Sequence, residues 1–450
     1  MIKVKTFVLK QIADIRIYGV RELFRKFFLT IKILAQIPID IIAIAPCIFI
    51  RLIRSWIIVR IEKFPTSNFG SLMEFPSVYQ IRKKLNIDLP KKKFFDFVYI
   101  DYKNKIYNRQ LVKMWNRKFN FLSGYLLDPI SRVNKLLPGW RMHTIDALNT
   151  RSTRDVDNLV AKYQPLNFIS EEEIYGKKML SKIGLKDGVR FVCLIVRDAA
   201  YQKKKISPRY RDWSYHDHRN QEVNNYLLAS EELAKRGYYV FRMGAVVEKE
   251  FTSSNKKIID YANSNFRSDF MDVYLAAKCF FCISTGVGFD YLPYFFKRPI
   301  VFSDIAPIGD LHTMSEQNMH ITKHHVLKKE KRRLSMSEIF SHGVGFAYDN
   351  KIFKEKGIEL VDNTPEEIKD LVIEMIEHLE FNKKLSPESE ELQKSFKKLY
   401  ATNIKRFSKE SDGKNVLLMR GKTKTKTIMH GTIRSRFSSK FLKENKNWLS

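Results

Sequence analysis

The 450-residue chain is short of cysteine, of acidic side chains and of unbroken apolar sequence. Four cysteines, Cys47, Cys193, Cys279 and Cys282, form no framework of regular spacing. That excludes a disulfide scaffold and, with no cleavable signal peptide visible, suits a reducing cytoplasmic compartment. Cys279-x-x-Cys282 has no second cysteine pair to complete a zinc site. It also precedes a turn, whereas a redox pair opens a helix after a strand. Both cysteines therefore read as small apolar core residues.

Asp and Glu number 49 against 80 Lys and Arg, a net charge of +31. Part of this is a bias toward Lys, Ile and Asn. The rest implies an anionic partner: nucleic acid, anionic lipid or a phosphate-bearing substrate. The basic residues do not interleave with aromatics in a stacking motif, which argues against nucleic acid. An anionic membrane surface suits the charge.

Glycine signatures are missing as well. The chain has no dinucleotide-binding G-x-G-x-x-G and no P-loop. It has no internal repeat, no low-complexity tract and no Asp-x-Asp pair at a strand end. Nor does any apolar run stay unbroken for the roughly 20 residues of a spanning helix. RIYGVRELFRKFFLTIKIL (16–34) suits a basic amphipathic helix. In the apolar stretch after it, Gln36, Pro38, Asp40 and Pro46 interrupt, and Arg51 and Arg54 end it. An interfacial or re-entrant hairpin is expected, with Trp56 at the boundary; the alternative is a buried core helix.

What is present is an α/β pattern. Strands are expected at IIVRI, FFDFVYI, RFVCLIV, YYVFRM, FFCIS and RPIVFSD. Helices are expected at NRQLVKMWNRKF, NQEVNNYLLASEELAKRG, SDFMDVYLAAK capped by Ser268, and TPEEIKDLVIEMIEHLEF capped by Thr364. Regular alternation after residue 190 implies a parallel, doubly wound sheet. The expected division is a membrane-associated segment 1–56, an α/β domain 57–170, a linker 171–189, a Rossmann-like domain 190–400 and a basic tail 401–450. The tail's end, SSKFLKENKNWLS, is either a helix packed on the body or a disordered arm.

In open α/β sheets ligands bind outside the carboxyl ends of the strands. Four such ends carry polar groups: Arg197-Asp198, Arg242-Met243-Gly244, Ser284-Thr285-Gly286 and Ser303-Asp304. Arginine forks and a hydroxyl-glycine loop suit a diphosphate. Arg197, Arg219, Arg242, Gly244, Ser284, Thr285 and Gly286 are the candidate phosphate-binding residues. A tight strand-to-helix turn is the plain alternative for ISTGVG. A second cluster, His216, Asp217 and His218, follows the basic loop AAYQKKKISPRYR. Two ligands at i and i+2 make a poor metal site. With Asp198 these residues are the candidate acid/base groups; a solvated loop is the alternative. Asp260, Asp269 and Asp272 read as loop and helix-start carboxylates, with no metal.

CLIVRDAAY, HDHRNQEVNNYLLASEELAKRGYYVFRMG and IIDYANSNFRSDFMDVYLAAKCFFCISTGVGFDYLPYFFKRPIV resemble a family of bacterial glycosyltransferases found in surface-polysaccharide gene clusters. NRQLVKMWNR and the terminal SSKFLKENKNWLS fit too, so the resemblance covers most of 55–450. It implies a GT-B-like architecture: two Rossmann-like doubly wound domains facing a cleft, the acceptor in the N-terminal one and the nucleotide-sugar donor in the C-terminal one. The expected activity is sugar transfer to a glycan acceptor carried on lipid, at the cytoplasmic face of the inner (plasma) membrane; with arginines to neutralise the leaving phosphate, no metal or cofactor is expected. Where that family has an Arg-Ile-Gly-His type loop, this chain reads Asn68-Phe69-Gly70-Ser71. A nucleotide-sugar epimerase or pyruvyl-type transferase of the same pathways is one alternative. A non-catalytic basic protein, bound to membrane or nucleic acid, is another.

Overall fold

The computed structural model describes residues 19–101, 106–145, 155, 157–200, 214–382, 384–410 and 430–450. Helix α1 (Val20–Leu52) leads into β1 (Ile58–Lys63), α2 (Phe69–Lys84), β2 (Phe94–Tyr99), α3 (Arg109–Trp115), β3 (Asn120–Phe121) and α4 (Gly124–Asn134). Next come α5 (Ser170–Lys182), β4 (Phe191–Ile195), α6 (Leu227–Lys235), β5 (Tyr239–Arg242), β6 (Ile258–Ile259), α7 (Asp269–Lys278) and β7 (Cys282–Ser284). The chain continues through α8 (Tyr291–Phe295), β8 (Ile300–Ile305), β9 (Asn318–Thr322), β10 (His324–Leu327), β11 (Arg332–Arg333) and β12 (Ile358–Val361). It ends with α9 (Pro365–Phe381), α10 (Pro387–Glu410), β13 (Arg436–Phe437) and α11 (Ser439–Glu444).

The chain divides into two compact units. One holds the described residues of Met1–Phe64, Leu89–Lys105 and Phe119–Asn149; the other holds those of Pro65–Asp88, Ile106–Lys118 and Thr150–Ser450. The contiguous 57–170 expected from the sequence is thus shared out, with α2 and α3 in the larger unit. Side chains explain why. The Trp115 indole of α3 donates to the Leu72 carbonyl of α2 (2.9 Å), and Gln110 and Arg117 bond Glu172 of α5 (2.8 and 3.0 Å). Helix α5, read as linker, is itself packed: Gly176 lies so close to the Tyr274 ring that a Cβ would come within 2.2 Å.

In the smaller unit β1, β2 and β3 form a parallel sheet in that order. Arg60 and Asp96, register partners on β1 and β2, make a buried ion pair at 2.7 Å. Helix α1 runs unbroken for 33 residues through Pro38 and Pro46, so the expected hairpin does not form. The polar interruptions are matched by the neighbouring helix. Asp40 pairs with Arg132 of α4 at 2.6 Å, and Arg51 donates to the Asn134 amide oxygen at 2.7 Å. Ala43 and Cys47 pack with Leu127, Ile130 and Val133 of α4. The span Leu34–Ser55 has mean hydropathy 1.9 and is long and apolar enough to cross a membrane by length and composition.

The larger unit is built on seven parallel strands in the order β13-β9-β8-β7-β4-β5-β6. All residues of β4, β7, β8 and β9 are buried, as expected for a sheet covered on both faces. The expected helix starts are in place. Ser268 Oγ accepts from the Met271 N–H (3.2 Å), and Thr364 and Glu367 form a reciprocal capping box. Strand β10 pairs antiparallel with β11 and β12. The end of the chain packs back on the body. β13 extends the sheet beside β9, and Phe437 and Trp448 stack near Phe396 of α10. The basic stretch 411–429 lies outside the described residues. Where two doubly wound domains were expected, the described residues form one doubly wound sheet, one three-stranded parallel sheet and the small antiparallel sheet of β10, β11 and β12.

Candidate functional site

From β4 the chain moves to β5 and β6 on one side, while β7, β8 and β9 extend the sheet on the other. The strand order therefore reverses between β4 and β7, and adjoining loops diverge there to leave a crevice. A cavity of about 320 Å³ opens at these strand ends, entirely within the larger unit. Arg197 and Asp198 enter it from β4, Gly244 to Val247 from β5, and Val287, Gly288 and Phe289 from the loop after β7. Asp272 of α7 and the aromatic rings of Phe69 and Tyr107 complete the wall.

The turn after β7 is held by its own polar groups. Ser284 Oγ donates to Asp290 and accepts from the Gly286 N–H (3.1 Å); the Asp290 carboxylate also accepts from the Val287 N–H (2.7 Å). Thr285 Oγ1 accepts from the Arg197 N–H at 3.0 Å, a bond that ties β4 to β7 across the switch point. Gly286 has φ +78°, a left-handed conformation that favours glycine, and its carbonyl accepts from Arg219 (2.9 Å). Ser284 and Thr285 are thus buried in building the turn, and neither they nor Gly286 line the cavity. Burial pushes the Asp290 carboxyl up to about 7.

The two arginines at strand ends fare differently. Arg242 is 1% exposed, donates to Asp260 at 3.2 Å and lies 3.9 Å from Asp198. It does not line the cavity. Arg197 does, as the sole cation among the described lining residues. Its Nε donates to Asn220 (3.3 Å), while Nη2 is buried with no hydrogen-bond partner. Burial, and then the nearby Arg219 charge, push its pKa down to about 9, which leaves it cationic at neutral pH. Asp198 also lines the cavity; its carboxylate accepts from the Ala200 and Glu248 N–H groups (3.0 and 2.9 Å). Gly244 lines it too, and a Cβ there would come within 2.5 Å of Val247.

The histidine cluster is elsewhere in the unit. The His218 ring bonds Asn350 at 2.7 Å and packs on Phe353; His216 packs near Tyr348. Asp217 accepts from Asn220 at 3.0 Å. None of the three lines the cavity. Of the basic loop AAYQKKKISPRYR (199–211), residues 201–211 lie outside the described residues. The fourth polar strand end is closed on itself: Asp304 accepts from Tyr226 (2.8 Å) and from the Asn363 N–H (2.6 Å). Among the described residues no group of three or more His, Cys, Asp or Glu could hold a metal ion.

The packing of His218 has a pH consequence. Burial first, then the Arg219 charge, push its pKa from 6.5 down to about 3. The folded state therefore holds a neutral ring that the unfolded chain protonates more readily. The stability this contributes is complete above about pH 6.5 and is lost as pH falls toward about 3. Between pH 7 and pH 5 the loss should be about 1–2 kcal/mol. His218→Asn should flatten the acid side of a plot of unfolding free energy against pH; an unchanged slope would contradict the buried neutral ring.

Sequence reasoning missed the aromatic wall and Asp290. Phe69 lies 4.7 Å from the Tyr107 ring and 5.8 Å from the Phe289 ring. Asn68 and Asn108 cap α2 and α3, accepting from the Ser71 and Leu111 N–H groups (both 2.8 Å). Each cap is adjacent to one of these rings in sequence, and the paired Asn-cap pattern is the signal that could have drawn attention to them. In the first turn of α2, Gly70 approaches the turn after β7 so closely that a Cβ on Gly288 would meet the Gly70 nitrogen at 3.3 Å.

No family model matches the sequence, and no curated protein matches it. Several solved structures are similar to it. The glycosyl transferase family 9 protein from Veillonella parvula DSM 2008 is 12% identical, with TM-score 0.41, over 73% of this chain and 98% of that one. The E. coli ADP-heptose LPS heptosyltransferase II is 12% identical, with TM-score 0.33, over 71% and 98%. A Listeria monocytogenes protein provisionally described as a UDP-N-acetylglucosamine 2-epimerase is 7% identical, with TM-score 0.26, over 73% and 98%. Likeness at this level assigns no activity, so the functional reading rests on the site.

Proposed function

We propose that the chain is a glycosyltransferase that holds a nucleotide-sugar donor in the switch-point cavity. The sugar passes to a glycan acceptor carried on lipid, at the cytoplasmic face of the plasma membrane. The observation that carries the reading is Arg197. Among the described residues it is the one cation lining the crevice, and one of its guanidinium nitrogens is buried without a partner. A phosphate oxygen is the complementary acceptor. As the glycosidic bond breaks, the leaving phosphate gains charge, and a fixed guanidinium in a water-poor site stabilises that charge. The reading needs no metal ion. The cavity volume is within the range of small-molecule sites, and its aromatic side offers a surface for a base or a sugar ring. Of the four acid/base candidates, Asp198 alone lines the cavity and is the one retained for the general base. The sequence resemblance supports the same reaction class.

The test is a thermal-shift screen of the full chain against UDP, GDP, CMP and ADP and their sugars. ADP is included because the E. coli neighbour's name carries ADP-heptose. Ligand at one hundred times Kd should add about 2.7 kcal/mol of stability. No response to any nucleotide would remove the donor site. Conversion of a donor with no acceptor present would favour an epimerase.

A further inference from the structure

Among its described side chains, helix α1 buries few and leaves a long series of apolar ones exposed. Ala43, Cys47 and Ile50 are buried, while Ile42 is 74% exposed, Phe49 60% and Leu52 70%. The same unit exposes Tyr125 (72%) and Leu126 (57%) at the start of α4, the helix against which α1 packs. Isolated apolar side chains on a surface are normal; a long series of them along one helix calls for a cover. The charge around this series indicates which cover. Arg54, two residues before Trp56, and Arg141, shortly after α4, are exposed cations of this unit, and the chain carries +31. Trp56 and Tyr125 supply the amphipathic rings that favour a membrane boundary.

The same contacts decide between crossing and lying flat. The 22-residue span could reach across a hydrocarbon layer of about 30 Å. It is, however, fastened along its length. Asp40 pairs with Arg132 at 2.6 Å, Cys47 Sγ donates to the Ile130 carbonyl at 3.4 Å, and Arg51 bonds Asn134 at 2.7 Å. Helix α4 in turn packs on β1 and β2. A crossing α1 would drag an open three-stranded sheet into hydrocarbon, where its edge N–H and C=O groups would find no partners.

We infer that the smaller unit is a monotopic membrane foot. Helix α1 lies in the plane of an anionic bilayer, and Tyr125 and Leu126 of α4 enter the same leaflet. This deepens the membrane part of the proposed function and does not depend on the donor site.

The test uses the full chain with vesicles of phosphatidylcholine and phosphatidylglycerol at three to one. The double variant Tyr125→Glu/Leu126→Glu should bind about tenfold more weakly or worse. Ile174→Glu, at an equally exposed apolar site on α5 of the larger unit, should bind as the parent does. All four native cysteines are buried, so Leu126→Cys takes an environment-sensitive dye selectively. Brominated acyl chains should quench that dye. Tags at the two ends of the chain should both be cleaved by protease added outside the vesicles. The inference is overturned if the dye stays in water, if the double variant binds normally, or if the N-terminal tag is protected. A dimer in vesicle-free buffer that the double variant abolishes would instead make the patch a self-association face. The nucleotide response of each variant is measured in parallel. Its retention alongside lost vesicle binding shows that the variant is folded, and its absence in the parent would sink the donor reading alone.

Discussion

Arg242→Ala should destabilise the larger unit by about 3–5 kcal/mol, the cost of breaking one side of a buried ion pair. The guanidinium is 1% exposed, donates to Asp260 at 3.2 Å and lies 3.9 Å from Asp198. Its removal leaves both carboxylates without their cation. Asp260 also accepts from the Phe251 N–H (3.0 Å) and from Asn263 (2.8 Å), and Asp198 from the Glu248 N–H (2.9 Å). The loop between β5 and β6, which walls the cavity, therefore loosens together with the pair. Urea unfolding of the variant should show the loss, and Arg242→Lys should restore part of it. A variant that unfolds like the parent yet no longer responds to nucleotide would make Arg242 a ligand-binding group and reverse this assignment.

Arg197→Ala should behave in the opposite way. Among the described residues its Nη2 has no hydrogen-bond partner, and Nε makes only a long bond to Asn220 (3.3 Å), so truncation breaks little that holds the fold together. A hydrogen bond to a charged group contributes about 1.5–3 kcal/mol, so nucleotide affinity should fall by about ten- to a hundredfold. If the guanidinium also meets the developing charge, kcat should fall by about 10²–10³. Arg197→Lys should recover affinity only in part, because a point charge does not reproduce the planar fork. Calorimetric titration with the nucleotide found in the screen reads the first effect, and single-turnover transfer the second. Unchanged affinity and rate in Arg197→Ala would place the donor outside this cavity. The two arginines thus form a contrast in which one variant loses stability and the other loses ligand.

The strands and helices of the larger unit could be read from the sequence because their signals are local. Ser268 and Thr364 stand at helix starts where the N–H groups two or three residues on need an acceptor, and both bonds form. RFVCLIV and RPIVFSD are short apolar runs that only a sheet covered on both faces can bury, and β4 and β8 are buried throughout. The single helix α1 was not legible. Pro38, Asp40 and Pro46 look like interruptions until Arg132, 92 residues beyond Asp40, is seen to pair with it. Nor was the loss of α2 and α3 from the N-terminal domain, since the Trp115–Leu72 and Arg117–Glu172 bonds join distant segments.

The same distinction runs through the site. Residue types and spacing by themselves determined a parallel sheet with polar groups at its carboxyl ends, because strand periodicity and caps are encoded within a few neighbouring residues. Only the tertiary structure decided which of those ends face a ligand. Arg242 finds Asp260 and Asp198; Ser284 finds Asp290; Asp304 finds Tyr226 and Asn363. A buried polar group must be satisfied wherever the chain can supply a partner, and that supply is set by packing. Arg197 and Arg242 each keep one guanidinium nitrogen unmatched, but of the two only Arg197 lines the cavity where the strand order reverses, a property that no stretch of sequence around it records.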